Sequence, residues 1–311
     1  MAIIFISHKL DEVLRVADDV TVVRAGSTVA QVKAKDVTAR ELAELMVGSE
    51  LPQPTTHGDT RRPETTLSLR DVSIPTKSGS RDLISHISFD LQAGEVIGIA
   101  GVEGNGQAEL VEAIMGLREY TGQIEFKGKN IDHYSVAHRH DAGIGLIPED
   151  RQRQALMMNS PLWENRILGH QRSKPVMRGF ILDKKATIAD TRVIMDEFDV
   201  RAPGPHTLAA ALSGGNQQKF IVGREMSKAP ALLVASHPTR GVDVGAQAAI
   251  WEELRRAREK GMAIVLISAD LEELIGMSDR LLVMLRGAIT AELNPQKTTP
   301  EQLGSAMTGA Q

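Results

Sequence analysis

The residues with the clearest chemical spacing are Gly101, Gly104, Asn105, Gly106, Gln107 and Ala108, in the stretch GVEGNGQA. The spacing is that of the phosphate loop G-x-x-x-x-G-K-[ST]. Glycines let the backbone curl until successive N–H groups face phosphate oxygens, and a following helix adds the partial positive charge of its N-terminus. Two positions depart from the pattern. Gln107 stands where a lysine would reach the β- and γ-phosphates, and Ala108 stands where a hydroxyl would bind Mg²⁺. A neutral hydrogen bond contributes about 1 kcal/mol against roughly 1.5–3 for a charge-assisted one, and an alanine offers a metal nothing.

A second chemical stretch begins at Leu212, LSGGNQQK. Ser213 is a good helix N-cap, and Gly214 and Gly215 permit close backbone approach before Asn216 and Gln217. About twenty residues on, the apolar run ALLVAS ends at Ser236 and His237 and leads into a turn holding Gly241 and Asp243. The run AIVLIS then ends beside Ala269.

The elements that must position these residues follow from periodicity. LSLRDVSI and ISFDLQ alternate as half-buried strands, and EVIGIA (95–100) is a continuous apolar strand running into the glycine turn. A helix is predicted from Gln107 to Met115, GIGLIP as a core strand, residues 160–228 as mostly helical, and VGAQAAIWEELRRAREK as a helix. Strands alternating with helices imply an α/β fold with a mostly parallel sheet covered on both faces.

The chain also repeats itself. AIIFISHKLDEVLRVADDVTVVRAG from Ala2 lies over AIVLISADLEELIGMSDRLLVMLRG from Ala263 without a gap, at an offset of 261 residues, and the register continues to Gly48 over Gly309. Each copy reads as a buried strand, a polar turn, an amphipathic helix, a second strand and a short helix. The expected organisation is the end of one domain in residues 1–50, a Pro- and Thr-rich linker in 51–66, and a whole second domain in 67–311 with a helical subdomain at about 151–228. Residues 2–7 are expected to form a core strand.

Hydrophobic residues make up 42% and charged residues 24% of the 311, as in an ordinary globular protein. The net charge of −4 argues against a nucleic-acid partner, whose phosphates would need a basic excess. No run of about 18 apolar residues suggests a membrane span, and MAIIFISHKLDEV lacks the basic-then-apolar order of a signal peptide, so a cytosolic chain is expected. With no cysteine, disulfides and thiolate metal sites are excluded.

The order of these motifs resembles the ABC transporter ATPase family, with its phosphate loop, LSGGQ-like signature, Walker B strand, D-loop and switch-histidine strand. GVEGNGQAEL, IPEDR, LSGGNQQK and HPTRGVD look like the second domain of the fused double-ATPase subunits that serve simple-sugar and nucleoside importers, and the first 48 residues look like the end of the first. The resemblance implies a P-loop NTPase three-layer fold with an N-terminal antiparallel β subdomain and a helical signature subdomain. It also implies Asp-Glu at the Walker B end, where Ser236 and His237 stand, and a switch histidine where Ala269 stands. The family's Gln-loop residue is replaced near Glu149, and residues 67–88 hold no aromatic side chain to stack on adenine. The second domain's own site is therefore expected to be silent.

The same resemblance gives the rest a role. The signature Ser213, Gly214, Gly215, Asn216 and Gln217 would complete the site of a facing domain, with Gly241 and Asp243 in the D-loop and His8 as that site's switch histidine. ATP and Mg²⁺ would reside mainly at that partner domain's site, with no metal site of the chain's own. Permease subunits in the membrane, another ABC ATPase domain and, indirectly, a periplasmic or lipid-anchored solute-binding protein would be the partners. The chain would sit peripherally at the cytoplasmic face of the cell membrane, with about 151–211 as its coupling surface. Two other readings stand beside this one: a soluble double-ATPase acting on the ribosome, disfavoured by the short linker and degraded site, and a non-functional truncated fragment.

Overall fold

The computed structural model describes residues 3–7, 10–24, 26–48, 58–76 and 82–309. A small unit comes first. Helix α1 (Leu10–Val16) leads into the antiparallel pair β1 (Asp19–Arg24) and β2 (Ser27–Lys33), then α2 (Ala39–Val47). Val13, Val22 and Leu42 form its core, and α2 lies against helix α8 of the main body, described below.

The main body starts with a four-stranded antiparallel sheet made from β3 (Thr65–Ile74), β4 (Ile84–Gln92), β6 (Thr121–Phe126) and β7 (Lys129–Asn130). Strand β5 (Val96–Ala100) and helix α3 (Gln107–Met115) fall between β4 and β6, and α4 (Val136–Ala142) follows β7. The second sheet has six strands in the order β14-β13-β5-β12-β11-β8. Here β8 is Ile144–Ile147, β11 Leu232–Ser236, β12 Ala263–Ile267, β13 Arg280–Leu285 and β14 Ala288–Leu293. All neighbours pair in parallel except the edge strand β14.

Strands β5, β11 and β12 are buried at every residue, as unbroken apolar runs require when both faces are covered. Leu233 and Ala235 pack with α8 (Val244–Glu259), α9 (Leu271–Met277) and α10 (Pro300–Thr308) on one face; Leu232 and Val234 pack with α3 and the antiparallel sheet on the other. This is the expected three-layer α/β arrangement.

Between β8 and β11 lies a lobe that departs from a mostly helical reading. It holds one turn of π-helix at Arg151–Ala155, a short α5 (Leu162–Asn165), a hairpin of β9 (Met177–Arg178) and β10 (Ile181–Leu182), then α6 (Lys184–Glu197) and α7 (Gly214–Met226). Two-residue strands carry no periodicity that a sequence could display.

The repeat is structural as well as sequential. Helices α1 and α9, the hairpins β1–β2 and β13–β14, and helices α2 and α10 start at positions 261 residues apart. The β-bulge at Val22/Val23 recurs at Val283/Met284, and the capping box of Thr38 with Glu41 recurs in Thr299 with Gln302. The strand expected at the start of the first copy is not formed in residues 3–7. Its counterpart β12 is zipped between β11 and β5, whereas Ile4 and Ile6 are 95% and 99% exposed. An apolar run becomes a strand only when neighbours supply the ladder.

Candidate functional site

Three parallel strands end at one place. The loop after β5, the turn after β11 and the turn after β12 line an open cleft of about 690 Å³ at the C-terminal edge of the sheet. Ligand crevices of open α/β sheets lie at this edge.

The glycine loop has the predicted strand-before, helix-after setting. Gly104 (φ +88°) and Gly106 (φ +108°) adopt left-handed backbone, which glycine takes without strain. A side chain at Gly101 would sit 2.3 Å from Gln107 Nε2 and 2.7 Å from the Met284 carbonyl oxygen, so the loop is closed tightly there. Gln107 is buried, and its Nε2 donates to the Val102 carbonyl at 3.3 Å. Asn105 is a brace: its Nδ2 donates to Val102 O and its Oδ1 accepts from the Arg286 N–H at 2.6 Å, tying the loop to the β13–β14 turn. Ala108 lies exposed on the cleft wall.

Ser236 ends β11, and His237 follows with φ +49°, a conformation uncommon for a non-glycine residue. The Ala269 N–H donates to His237 Nδ1 at 3.2 Å, which sets the neutral tautomer with the proton on Nε2. Burial pushes the imidazole below its ordinary pKa, with Arg240 adding to the effect and Glu149 opposing it. So His237 and Ala269, which the sequence reading sets at the carboxylate and switch-histidine positions, are joined to each other, and neither carries a negative charge.

Behind this turn sits Glu273, fully buried. Its Oε1 accepts from Thr239 Oγ1 at 2.9 Å and from Trp251 Nε1 at 2.7 Å. Burial raises its pKa. The sequence reading did not single it out, although the repeat pairs it with Glu12, which lines the same cleft. The cleft's described lining residues carry four carboxylates, Glu12, Glu103, Glu149 and Asp270, against one guanidinium, Arg240, itself paired with Glu149. That field, with no lysine and no hydroxyl at Ala108, does not suit a magnesium-bound triphosphate. Among the described residues no group of three or more His, Asp or Glu is poised to hold a metal.

The signature stretch lies outside the cleft lining. Ser213 caps α7, its Oγ accepting from the Asn216 N–H at 3.4 Å and from Asn216 Nδ2 at 3.0 Å. The residue is exposed, and no described acceptor takes its hydroxyl hydrogen. Gly214 and Gly215 are closely packed: a Cβ on Gly214 would meet Arg151 Nη2 at 2.7 Å, and one on Gly215 would meet Ala246 Cβ at 3.0 Å. Gln217 points inward, donating to the Ala209 and Leu212 carbonyls, so it is a brace. Asp243 caps α8 through the Ala246 N–H at 3.0 Å, and Gly241 turns the chain at φ +65°.

Arg151, from IPEDR, binds these parts together. Its guanidinium donates to the carbonyls of Arg240 (2.6 Å) and Gly241 (3.3 Å) and to Gln217 Oε1 (3.3 Å). The turn from Arg240 to Asp243 and the start of α7 are thereby brought side by side. His8 lies outside the described residues.

Comparison with known proteins agrees with this fold. The ABC transporter family profile matches residues 84–240. The nucleoside import ATP-binding protein NupA of Lactococcus lactis subsp. cremoris is 40% identical over 99% of this chain and 61% of its own length. The glucose import ATP-binding protein TsgD13 of Haloferax volcanii is 40% identical over 99% of this chain and 56% of its own length. The xylose import ATP-binding protein XylG of Moorella thermoacetica is 35% identical over 98% and 61%. The chain thus spans about three fifths of the length of these relatives. Among solved structures, a nucleotide-free ATP-binding cassette from an ABC transporter superposes with a TM-score of 0.64 at 21% identity, covering 78% of this chain and 95% of that one. No helix among the described residues is long and apolar enough to cross a membrane.

Proposed function

This chain belongs to the ABC transporter family, and from that membership we propose that it serves the import of a simple sugar or nucleoside by completing the ATP site of another ATPase domain. The names of the relatives support the solute class. One observation carries the division of labour: an exposed, capped signature turn, whose Ser213 hydroxyl hydrogen has no acceptor among the described residues, stands beside a cleft with no lysine in the glycine loop and no carboxylate at Ser236 or His237. In this reading Ser213 donates to the γ-phosphate of a nucleotide held by the facing domain, with backbone N–H groups of Gly214 and Gly215 adding to the anion site of the α7 N-terminus. Gln107, Ser236, His237 and Ala269 mark the chain's own cleft as non-hydrolytic. His8 would serve the facing domain as switch histidine. Permease subunits, a solute-binding protein and a complete ATPase domain are the proposed partners, with ATP and Mg²⁺ mainly at the partner domain's site and the assembly at the cytoplasmic face of the membrane.

The test mixes this chain with a separately expressed ATPase domain that has an intact phosphate loop. Phosphate release should rise on mixing. Ser213→Arg should abolish the rise, a loss on the order of tenfold or more, while circular dichroism shows an unchanged fold. Equal stimulation by the variant would make the signature turn a helix cap and nothing else.

A further inference from the structure

Residues 171–185, QRSKPVMRGFILDKK, take no part in the cleft or the signature turn. The β9–β10 hairpin pairs Arg178 with Ile181 and Met177 with Leu182, which leaves Gly179 and Phe180 as a two-residue turn. Gly179 has φ +65° and Phe180 is not in left-handed backbone, as a tight turn with glycine first requires. Such a turn gives Phe180 no path back to the lobe. It is fully solvent-exposed, and Ile181 and Leu182 beside it are 75% and 40% exposed, whereas Val176 is buried and anchors the base.

Around this apolar tip are five cations, Arg172, Lys174, Arg178, Lys184 and Lys185, and one carboxylate, Asp183, in a chain whose net charge is −4. Asp183 is already spent as the cap of α6, accepting from the Ala186 N–H at 2.9 Å. Lys184 and Lys185 sit in the first turn of α6, where the helix dipole disfavours cations, and no acidic residue is there to offset them. Lys184 rests over the Trp163 ring at 4.7 Å, and Arg172 is 3.7 Å from Asp141. Lys174, Arg178 and Lys185 have no ion-pair partner among the described residues. Folding accounts for neither the bare phenyl ring nor Lys174, Arg178 and Lys185 around it.

We propose that this hairpin is a membrane-contact site, in which Phe180 and Ile181 enter the headgroup region of a bilayer containing anionic phospholipid while Lys174, Arg178, Lys184 and Lys185 face the lipid phosphates. An apolar tip flanked by Lys and Arg is what an anionic interface attracts, each basic residue near the surface adding roughly fivefold to binding. The cytoplasmic loops of membrane proteins carry an excess of Lys and Arg, so a basic hairpin is repelled by such loops and drawn to the lipid around them. One small hairpin gives weak, salt-sensitive, reversible contact. The inference goes beyond the transport reading and needs no partner domain.

The experiment is vesicle flotation of the full chain. Binding is expected to vesicles of phosphatidylcholine mixed with phosphatidylglycerol at low salt, with release at high salt and none to phosphatidylcholine alone. Phe180→Ser with Ile181→Ser, and separately Lys174→Glu with Arg178→Glu and Lys185→Glu, should each lower binding at least about tenfold. Ile3, Ile4, Phe5 and Ile6 are a second exposed apolar stretch, so Ile4→Ser with Ile6→Ser is the control and should bind as the unaltered chain does. Phe180→Trp should give a blue-shifted emission with anionic vesicles, quenched by brominated lipid. Hairpin variants that float like the unaltered chain, or a residue-180 tryptophan that stays in water, overturn the proposal. Absence of binding to anionic vesicles also overturns it and assigns the hairpin to a protein surface.

Discussion

Gln107 donates to the Val102 carbonyl from the position where a lysine would point at phosphate. The amide therefore closes the loop and leaves it uncharged. Gln107→Lys restores a charge-assisted donor, and ATP binding by calorimetry should tighten by about tenfold. Phosphate release should stay at background, because Ala108, Ser236 and His237 still supply neither metal ligand nor base; turnover that rises without tighter binding would overturn these assignments. Spacing was enough to place the loop and to name the departures at Gln107 and Ala108, whereas Ala269 stood out through its register over His8 in the repeat and the family resemblance. It could not reveal that the Ala269 N–H holds His237 Nδ1, since that contact depends on a left-handed backbone at residue 237 and on two strands meeting. Nor could it show that Asn105 and Gln217, motif residues both, spend their side chains bracing the fold.

At the scale of elements, α6 and α7 approach closely because Gly223 carries no side chain. A Cβ there would meet Ile194 Cγ2 at 2.7 Å and the Phe198 ring at 2.8 Å. Gly223→Ala should destabilise the protein by about 1–3 kcal/mol through overpacking, despite alanine's better helix propensity. A lower urea midpoint at unchanged slope is the expected result; a variant as stable as the parent would mean the two helices can part freely. The long elements were legible, since β5, β11 and β12 are unbroken apolar runs and α8 carries a full helical period. The first copy's strand was misread because AIIFIS and AIVLIS have the same pattern but different neighbours, and pairing decides. The β9–β10 hairpin leaves little trace in the sequence, since its signal is a single glycine between Arg178 and Phe180.

At the scale of the whole molecule, acid should unfold the protein from an identifiable place. His170 is buried between helical-lobe and sheet residues, its Nε2 3.2 Å from the Arg224 carbonyl oxygen. Burial, with Arg166 adding to it, pushes its pKa down to about 3. Burial pushes the neighbouring Glu225 carboxyl up, but Arg224 and His140 outweigh that and hold it at about 2. For both groups the unfolded chain takes up protons before the folded one does, so stability increases with pH. The His170 contribution is complete above about pH 6.5 and is lost as pH falls from there toward 3, at a slope of about 1.4 kcal/mol per pH unit. The Glu225 contribution is lost lower, as pH falls from about 4.5 toward 2. Melting temperature should drop between pH 7 and pH 5, and His170→Gln, which keeps an N–H donor but cannot titrate, should flatten that drop. An equally steep profile in the variant would place the acid sensitivity elsewhere. The three layers could be foreseen because strands and helices alternate along the chain, and the duplicated unit because its register holds from Ala2 to Gly48 over Ala263 to Gly309, whereas this buried charge cluster is assembled from α4, α7 and the loop after α5, which no local pattern connects.

Arg151 also has a consequence for how fast and how selectively another surface can engage this one. Its single guanidinium grips two carbonyls of the D-loop and the side chain of Gln217 in α7. Loops usually surrender their freedom at the moment of contact, at an entropic cost that weakens the encounter. Here three hydrogen bonds from one side chain remove part of that freedom when the chain folds rather than when the surfaces meet. A partner that fits the Arg240–Asp243 turn and the start of α7 as they stand therefore has less ordering left to impose, and one that needs them rearranged must first break those bonds.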